Sequence, residues 1–347
     1  MSEPQKTLRC AAIGVGRMGR HHARVYTQLP GCSLVAVVDQ SEERRETVSK
    51  ERGCAAFGTV QELLKAAPSL GGLDAVSIAV PTTYHLGTAR PLLEAGVACL
   101  IEKPLANTIE DAQEIKRLAE QHSATLMVGH IERYNPAVRA LARQAGPAIA
   151  PRFIEIHRVS PMTFRSVDVS VVLDMMIHDL DVVLMLMGGK EPDEIRASAV
   201  SVITEHDDVC NARLEFSTPD GTAVANVTAS RLAFKTERKM RIVAEDAYVS
   251  IDYAAKAGVL VRKTANAAQL ADVRTRLRNG EDLSSLNYAE LVDIEPLSVD
   301  DAEPLRAELE DFVNAVRRGE RPPIDAADGF ANVRTAQRII EAARGTR

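Results

Sequence analysis

The sequence predicts an α/β chain whose first part is a doubly wound parallel sheet and whose second part is a more open, predominantly antiparallel sheet. Three observations carry this reading. A Gly14-x-Gly16-x-x-Gly19 turn stands between an apolar run and a helical segment, apolar runs then alternate with helical segments as far as Gly129, and two-residue alternation takes over beyond His130.

The elements follow in order. The apolar run ending at Ile13 is the first strand, and Arg20 to Leu29 the first helix. Leu34 to Asp39 is the second strand, followed by a polar helix from Ser41 through Lys50, a short strand Ala55 to Phe57 and a helix from Gln61 to Ala67. Asp74 to Val80, rich in Val and Ile, is a central strand stopped by Pro81. Leu86 to Ala95 is helical with Gly96 as its C-terminal cap, and Val97 to Ile101 is the next strand. Thr108-Ile109-Glu110-Asp111 opens a helix through His122 as a capping box does, and Thr125 to Gly129 ends the parallel series. Beyond it, 151–159, 197–204, 209–217, 223–230 and 239–244 alternate polar and apolar residues, as strands with one wetted face do. Val172 to Met187 is a helix closed by Gly188-Gly189, and 301–318 and 327–343 are two closing helices. The stretch 254–296 shows weak periodicity and reads as edge strands with a mobile excursion.

A chain of 347 residues exceeds one ordinary domain, so the expected division is 1–129 and 130–347, the closing helices being free to pack back on the first unit. Acids number 48 against 42 Lys plus Arg, no basic tract is present, and aromatic residues are 4% with no Trp, which argues against a nucleic-acid surface. The five cysteines, Cys10, Cys32, Cys54, Cys99 and Cys210, show neither metal-ligand nor disulfide spacing. The start lacks the apolar stretch of a secretory leader, and no segment approaches the length needed to cross a bilayer. The expectation is a cytoplasmic protein with no membrane partner and no metal.

The glycine turn carries the first chemistry. Without side chains at Gly14 and Gly16, backbone can approach a pyrophosphate, and Gly19 lets the following helix pack closely on its strand. The helix then offers free N–H groups to the phosphates. Asp39, twenty positions after Gly19, is placed to accept from an adenosine ribose, which completes a Rossmann dinucleotide site with Arg17 and Met18 in its turn. A carboxylate there repels a 2′-phosphate and favours NAD over NADP, with Arg44 and Arg45 as the opposing signal.

Ligands in such a sheet gather beyond the carboxyl ends of the strands, where Pro81 to His85 and Glu102-Lys103-Pro104 stand. Lys103 is suited to holding a hydroxyl and lowering its proton affinity; the plainer alternative is a Glu102 surface ion pair. Further on, the apolar helix carries Asp174, His178, Asp179 and Asp181, with Asp174 and His178 at i,i+4. Polar groups there need a partner or a ligand, and a histidine exchanges protons near neutrality. A core histidine satisfied by Asp174 is the structural alternative, and a zinc site lacks the H-E-x-x-H arrangement.

Gly14-x-Gly16-x-x-Gly19, Glu102-Lys103-Pro104 and Asp174-x-x-x-His178 together resemble the glucose–fructose oxidoreductase and inositol dehydrogenase family, Gfo/Idh/MocA, over nearly the whole chain. The segment Val128-Gly129-His130-Ile131-Glu132-Arg133-Tyr134-Asn135-Pro136 also resembles the family's interdomain junction. The resemblance implies an NAD(P)-dependent dehydrogenase that forms dimers or tetramers through its second sheet. In it Lys103 polarises the reacting hydroxyl, Asp174 positions substrate, His178 exchanges the hydroxyl proton and Asp181 supports them. Thr82 and His85 would line the nicotinamide side, with a helix cap as the other reading of His85, and His22 would be structural.

Arg158 and Arg165, with Ser160, Ser166 and Asp168, are expected around the crevice mouth, joined by Arg133 and Tyr134 from the junction. Guanidinium groups suit phosphate; pairing with the abundant acids or with another subunit is the alternative. The stretches around His130 and His178 are similar to those of family members that oxidise UDP-N-acetylglucosamine or related nucleotide sugars at C3, ahead of an aminotransferase in surface-glycan or lipid A synthesis. Inositol or simple sugars are the other substrate class implied, and a non-catalytic dinucleotide sensor the other kind of function.

Overall fold

The computed structural model describes residues 7–145, 149–164 and 169–345. Its N-terminal sheet contains β1 (Leu8–Ile13), β2 (Cys32–Val38), β3 (Ala55–Phe57), β4 (Ala75–Ile78), β5 (Ala98–Glu102) and β6 (Leu126–Gly129), in the spatial order β3-β2-β1-β4-β5-β6. Every pair is parallel. The strands are short and nearly wholly buried, as parallel strands covered by helices on both faces must be. The helices are α1 (Gly19–Tyr26), α2 (Glu42–Arg52), α3 (Val60–Ala66), α4 (His85–Glu94) and α5 (Ile109–Gln121). Thr108 caps α5 by accepting from the Asp111 N–H, and α2 ends on Gly53 in the left-handed conformation.

A short turn, Ile131–Tyr134, leads from β6 into α6 (Pro136–Ala145). The second sheet has β7 (Phe153–Val159), β8 (Glu194–Val200), β9 (Val209–Thr218), β10 (Gly221–Ser230), β11 (Glu237–Val243), β12 (Ala247–Asp252), β13 (Ala257–Lys263) and β14 (Val292–Pro296). Its order is β14-β13-β12-β11-β7-β10-β9-β8; β7 and β10 run parallel and the other pairs antiparallel. The strict alternation of β7, β9 and β10 puts one face into a core beneath α7 (Ile177–Leu186) and leaves the other wetted.

The remaining helices are α8 (Ala267–Arg278), α9 (Pro304–Arg318) and α10 (Ala326–Arg344). Leu305, Leu309 and Phe312 of α9 join the core of the parallel sheet, whereas Ala336, Ile339 and Ile340 of α10 join that of the second. The closing helices therefore tie the two cores together.

Three local readings differ from the sequence expectation. β8 ends at Val200, short of 204, because Asp208 gathers the N–H groups of Val202, Ile203 and Thr204 into a tight loop. The stretch 254–296 contains α8, capped reciprocally by Asn266 and Gln269 but with no buried residue, so it lacks the apolar stripe that reveals a helix. The α6 segment, entered through Pro136, continues the junction with no break in the sequence pattern that sets it apart.

Candidate active site

The dinucleotide turn is rigidly specified. Gly14 sits at φ +80°, and a Cβ there would lie 2.8 Å from the Ala79 carbonyl group; one on Gly19 would lie 1.9 Å from the Gly14 carbonyl oxygen. Gly16, by contrast, faces open space, the side from which a ligand approaches. α1 begins with no side-chain cap and no acid in its first turn, leaving its N–H groups for an anion. A cavity of about 900 Å³ runs from this turn along Asp39 and Arg44 to Pro81 and Thr82, and Arg17 and Met18 line it as expected. These residues fit NAD.

Asp39 is aimed by the Ser41 N–H, which donates to Oδ1 at 2.9 Å. The two nearby arginines separate: Arg45 turns back onto the carbonyls of Asp39 and Gln40, while exposed Arg44 stays on the cavity wall.

His85 is buried, with Nε2 3.0 Å from the Val80 carbonyl and Nδ1 3.0 Å from that of Pro104. It clasps the ends of β4 and β5 together, is not exposed to the cavity, and closes the short turn Thr82–Tyr84 with its N–H on the Thr82 carbonyl. Glu102 likewise faces inward to buried His22, Nε2 to Oε1 2.9 Å. That pair confirms the interior placement of His22, and it replaces the surface ion pair considered for Glu102.

The next residue, Lys103, reaches across to the helix beneath the second sheet. Its Nζ donates to the Asp174 carbonyl at 2.9 Å and stands 4.0 Å from Asp174 Oδ1. Burial pulls the Lys103 pKa below the ordinary lysine value, opposed by Asp174 and Glu102. Asp174 lies in a widened turn, Val172–Met176, that precedes α7, so 174 and 178 do not stack as in a regular helix. No Asp174–His178 hydrogen bond forms among the described residues, and His178 Nδ1 is buried without a partner there. Burial, with the charges of Lys103 and Arg158, holds His178 well below its ordinary pKa, so it is uncharged at neutral pH and holds a proton only briefly.

The arginines expected at the crevice mouth are placed differently. Arg158 is 3% exposed and spends its guanidinium on Asp179, at 2.7 and 2.8 Å, and on Glu132, at 3.0 Å. Arg133 is bidentate to buried Asp181, at 2.6 and 2.8 Å, so Asp181 belongs to a tie across the junction rather than to the acid–base set. Tyr134 is buried with its hydroxyl in the field of Asp311 and Glu308 on α9, which with burial push its pKa up. Arg165, Ser166 and Asp168 lie outside the described residues.

Arg238 escaped the sequence reading. It pairs in register with Arg158 across β11 and β7 and shares its strand parity with buried Met240 and Ile242, yet it is exposed. A cation on the inward face of a strand, still open to solvent, marks the rim of a crevice. Its charge reaches both His178 and Asp179. The alternation over 237–243 holds the signal, since it puts an arginine among inward apolar positions.

Residues 8–130 match the oxidoreductase family with an NAD-binding Rossmann fold, and residues 157–250 match the Gfo/Idh/MocA C-terminal domain. The chain belongs to the Gfo/Idh/MocA oxidoreductase family. As a member it is an NAD-dependent oxidoreductase. It is 41% identical over 246 residues to UDP-N-acetylglucosamine 3-dehydrogenase of Acidithiobacillus ferrooxidans, covering 71% of this chain and 74% of that one. A solved structure of that enzyme superposes with a TM-score of 0.83 at 34% identity, over 97% of this chain and 98% of the other. The scyllo-inositol 2-dehydrogenase of Bacillus subtilis is 30% identical over 53% of this chain and 55% of its own length. Among the described residues no helix is long and apolar enough to cross a membrane, and no group of three or more His, Cys, Asp and Glu is arranged to hold a metal.

Proposed function

We propose that the protein oxidises the C3 hydroxyl of UDP-N-acetylglucosamine or a closely related nucleotide sugar. The likeness to the Acidithiobacillus enzyme over the full fold carries the substrate. The guanidinium of Arg238, without an ion-pair partner among the described residues and with its charge felt at His178, supports it, because an inositol or a free sugar has no diphosphate for such a group. Residues 1–129 hold the dinucleotide and 130–347 the substrate.

When bound, NAD supplies the hydride acceptor. The chain does the rest. Lys103, held against Asp174, orients the reacting hydroxyl, and burial, by lowering its pKa, favours the amine form that accepts that proton. Neutral His178 is the second acceptor, and Asp174 positions the sugar. Inositol oxidation is the second reading, favoured by the inositol dehydrogenases among the relatives. The reaction belongs in the cytoplasm within surface-glycan or lipid A synthesis, in a homodimer or homotetramer packed through the wetted face of the second sheet.

NADH formation with UDP-N-acetylglucosamine, but not with N-acetylglucosamine or myo-inositol, tests the substrate. Lys103→Met is expected to retain NAD binding and lose about 10²-fold in turnover, the size of an acid–base contribution. Full turnover in that variant removes Lys103 from the mechanism.

A further inference from the structure

The junction between the two sheets contains polar atoms that its packing does not explain. His130 is 1% exposed, and neither of its ring nitrogens has a hydrogen-bond partner among the described residues. Glu308 on α9 is fully buried, with both carboxyl oxygens equally unpartnered. A histidine or carboxyl kept for architecture has at least one atom anchored, as His85 and Asp179 do. Groups with both ends free can take a proton on one atom and release one from the other.

Their placement connects them to the reacting groups. Glu102 and Gly129 are register partners on β5 and β6, so Lys103 and His130 leave neighbouring strands side by side. A Cβ on Gly129 would lie 3.2 Å from Glu102 Cδ, which puts the Glu102 side chain across the end of β6. α9 packs on the Ile131–Tyr134 turn that follows His130 and brings Glu308 into the same junction. One turn along α9, Asp311 is half-buried and reaches solvent.

We propose that His130 and Glu308 form a proton relay, completed by ordered water, that carries the substrate hydroxyl proton from Lys103 and His178 through the junction toward Asp311 and solvent. It rests on the acid–base assignment made above. As the alcohol is oxidised, its O–H proton passes to the Lys103 amine. The ammonium returns that proton to one nitrogen of neutral His130, which releases another from its second nitrogen. Glu308, whose buried carboxyl favours the protonated form, accepts at one oxygen and releases from the other. One proton enters and one leaves, so every group keeps its charge, and a tautomer exchange through the bridging water resets His130 and Glu308 before the next turnover. Burial keeps His130 below its ordinary pKa, with Asp181 and Glu102 raising it and Arg133 and Lys103 lowering it. Burial beside Glu102 and Asp181 holds Glu308 well above the carboxylate range. Water bridging buried unpaired groups is common where two or more of them converge.

The test uses the full-length protein with NAD and UDP-N-acetylglucosamine, following NADH absorbance and proton release to an indicator dye together. His130→Ala and Glu308→Gln are each expected to bind NADH normally and to slow proton release about tenfold, the low end of a proton-transfer contribution. Added imidazole, which the cavity left by His130→Ala can admit, should restore turnover of that variant, which a merely structural loss would not allow. Native proton-release rates in Glu308→Gln overturn the relay, even where His130→Ala does not fold. So does a loss in His130→Ala that imidazole leaves untouched. A native protein without turnover, or a fully active Lys103→Met, instead defeats the acid–base assignment and is read separately.

Discussion

Replacing Arg158 with Met keeps most of the side-chain volume and removes a buried charge held between β7, α7 and the Ile131–Tyr134 turn. Three hydrogen bonds disappear, two to Asp179 and one to Glu132, leaving both carboxylates facing each other at 0% and 8% exposure. Breaking a buried ion pair from one side costs about 3–5 kcal/mol, because the remaining charge has neither partner nor water. Against a total stability of about 5–15 kcal/mol, that is enough to lower the denaturation midpoint far outside error. Protonation of Asp179 relieves part of the cost, since burial already raises its pKa. The assay is urea denaturation of the full chain, read on the transition of the second core, with NADH binding as the control for the first. The double variant Arg158→Met with Asp179→Leu should recover part of the loss, because an apolar pair replaces the Arg158–Asp179 ion pair while Glu132 still lacks its cation. A native midpoint in Arg158→Met, accompanied by a raised KM for UDP-N-acetylglucosamine, would refute the reasoning and return Arg158 to the substrate.

Three further outcomes follow from the geometry. Gly14→Ala places a methyl against the Ala79 carbonyl at a φ unsuited to alanine, so NADH affinity should fall at least about 100-fold, or about 2.7 kcal/mol, in a fluorescence titration. Unchanged affinity would show that the turn can move. Native protein should bind NADH more tightly than NADPH, and Asp39→Ser should narrow the ratio by about tenfold because Arg44 remains on the cavity wall; an unchanged ratio removes Asp39 from cofactor choice. Glu308 has a folded pKa raised above its unfolded value, so the stability it contributes is complete below about pH 4 and is lost as pH rises toward the folded pKa. Glu308→Gln removes that loss, and its denaturation midpoint relative to native protein should improve more at about pH 8 than at about pH 5. An equal change at both values means that Glu308 is ionised in the fold.

Local rules reach a large part of this molecule. The Gly14 turn, Asp39, the alternation of strands and helices, and Lys103 at a strand end are all legible because each depends on neighbours in the chain or on the period of one element. Family likeness then adds the activity. What sequence could not supply is which charges meet. Arg158 and Arg238 look alike in the chain, both on alternating strands and both apt for phosphate. Only the pairing of β7 with β11, and the closure of α7 over that face, sends one into Asp179 and leaves the other at the rim. His130 and Glu308 are 178 positions apart, and the folding back of α9 onto the first core brings them to one junction. Local propensity and periodicity act over a few residues, whereas the partner of a buried charge is chosen by long-range packing, and that is where the sequence stops and the tertiary structure decides.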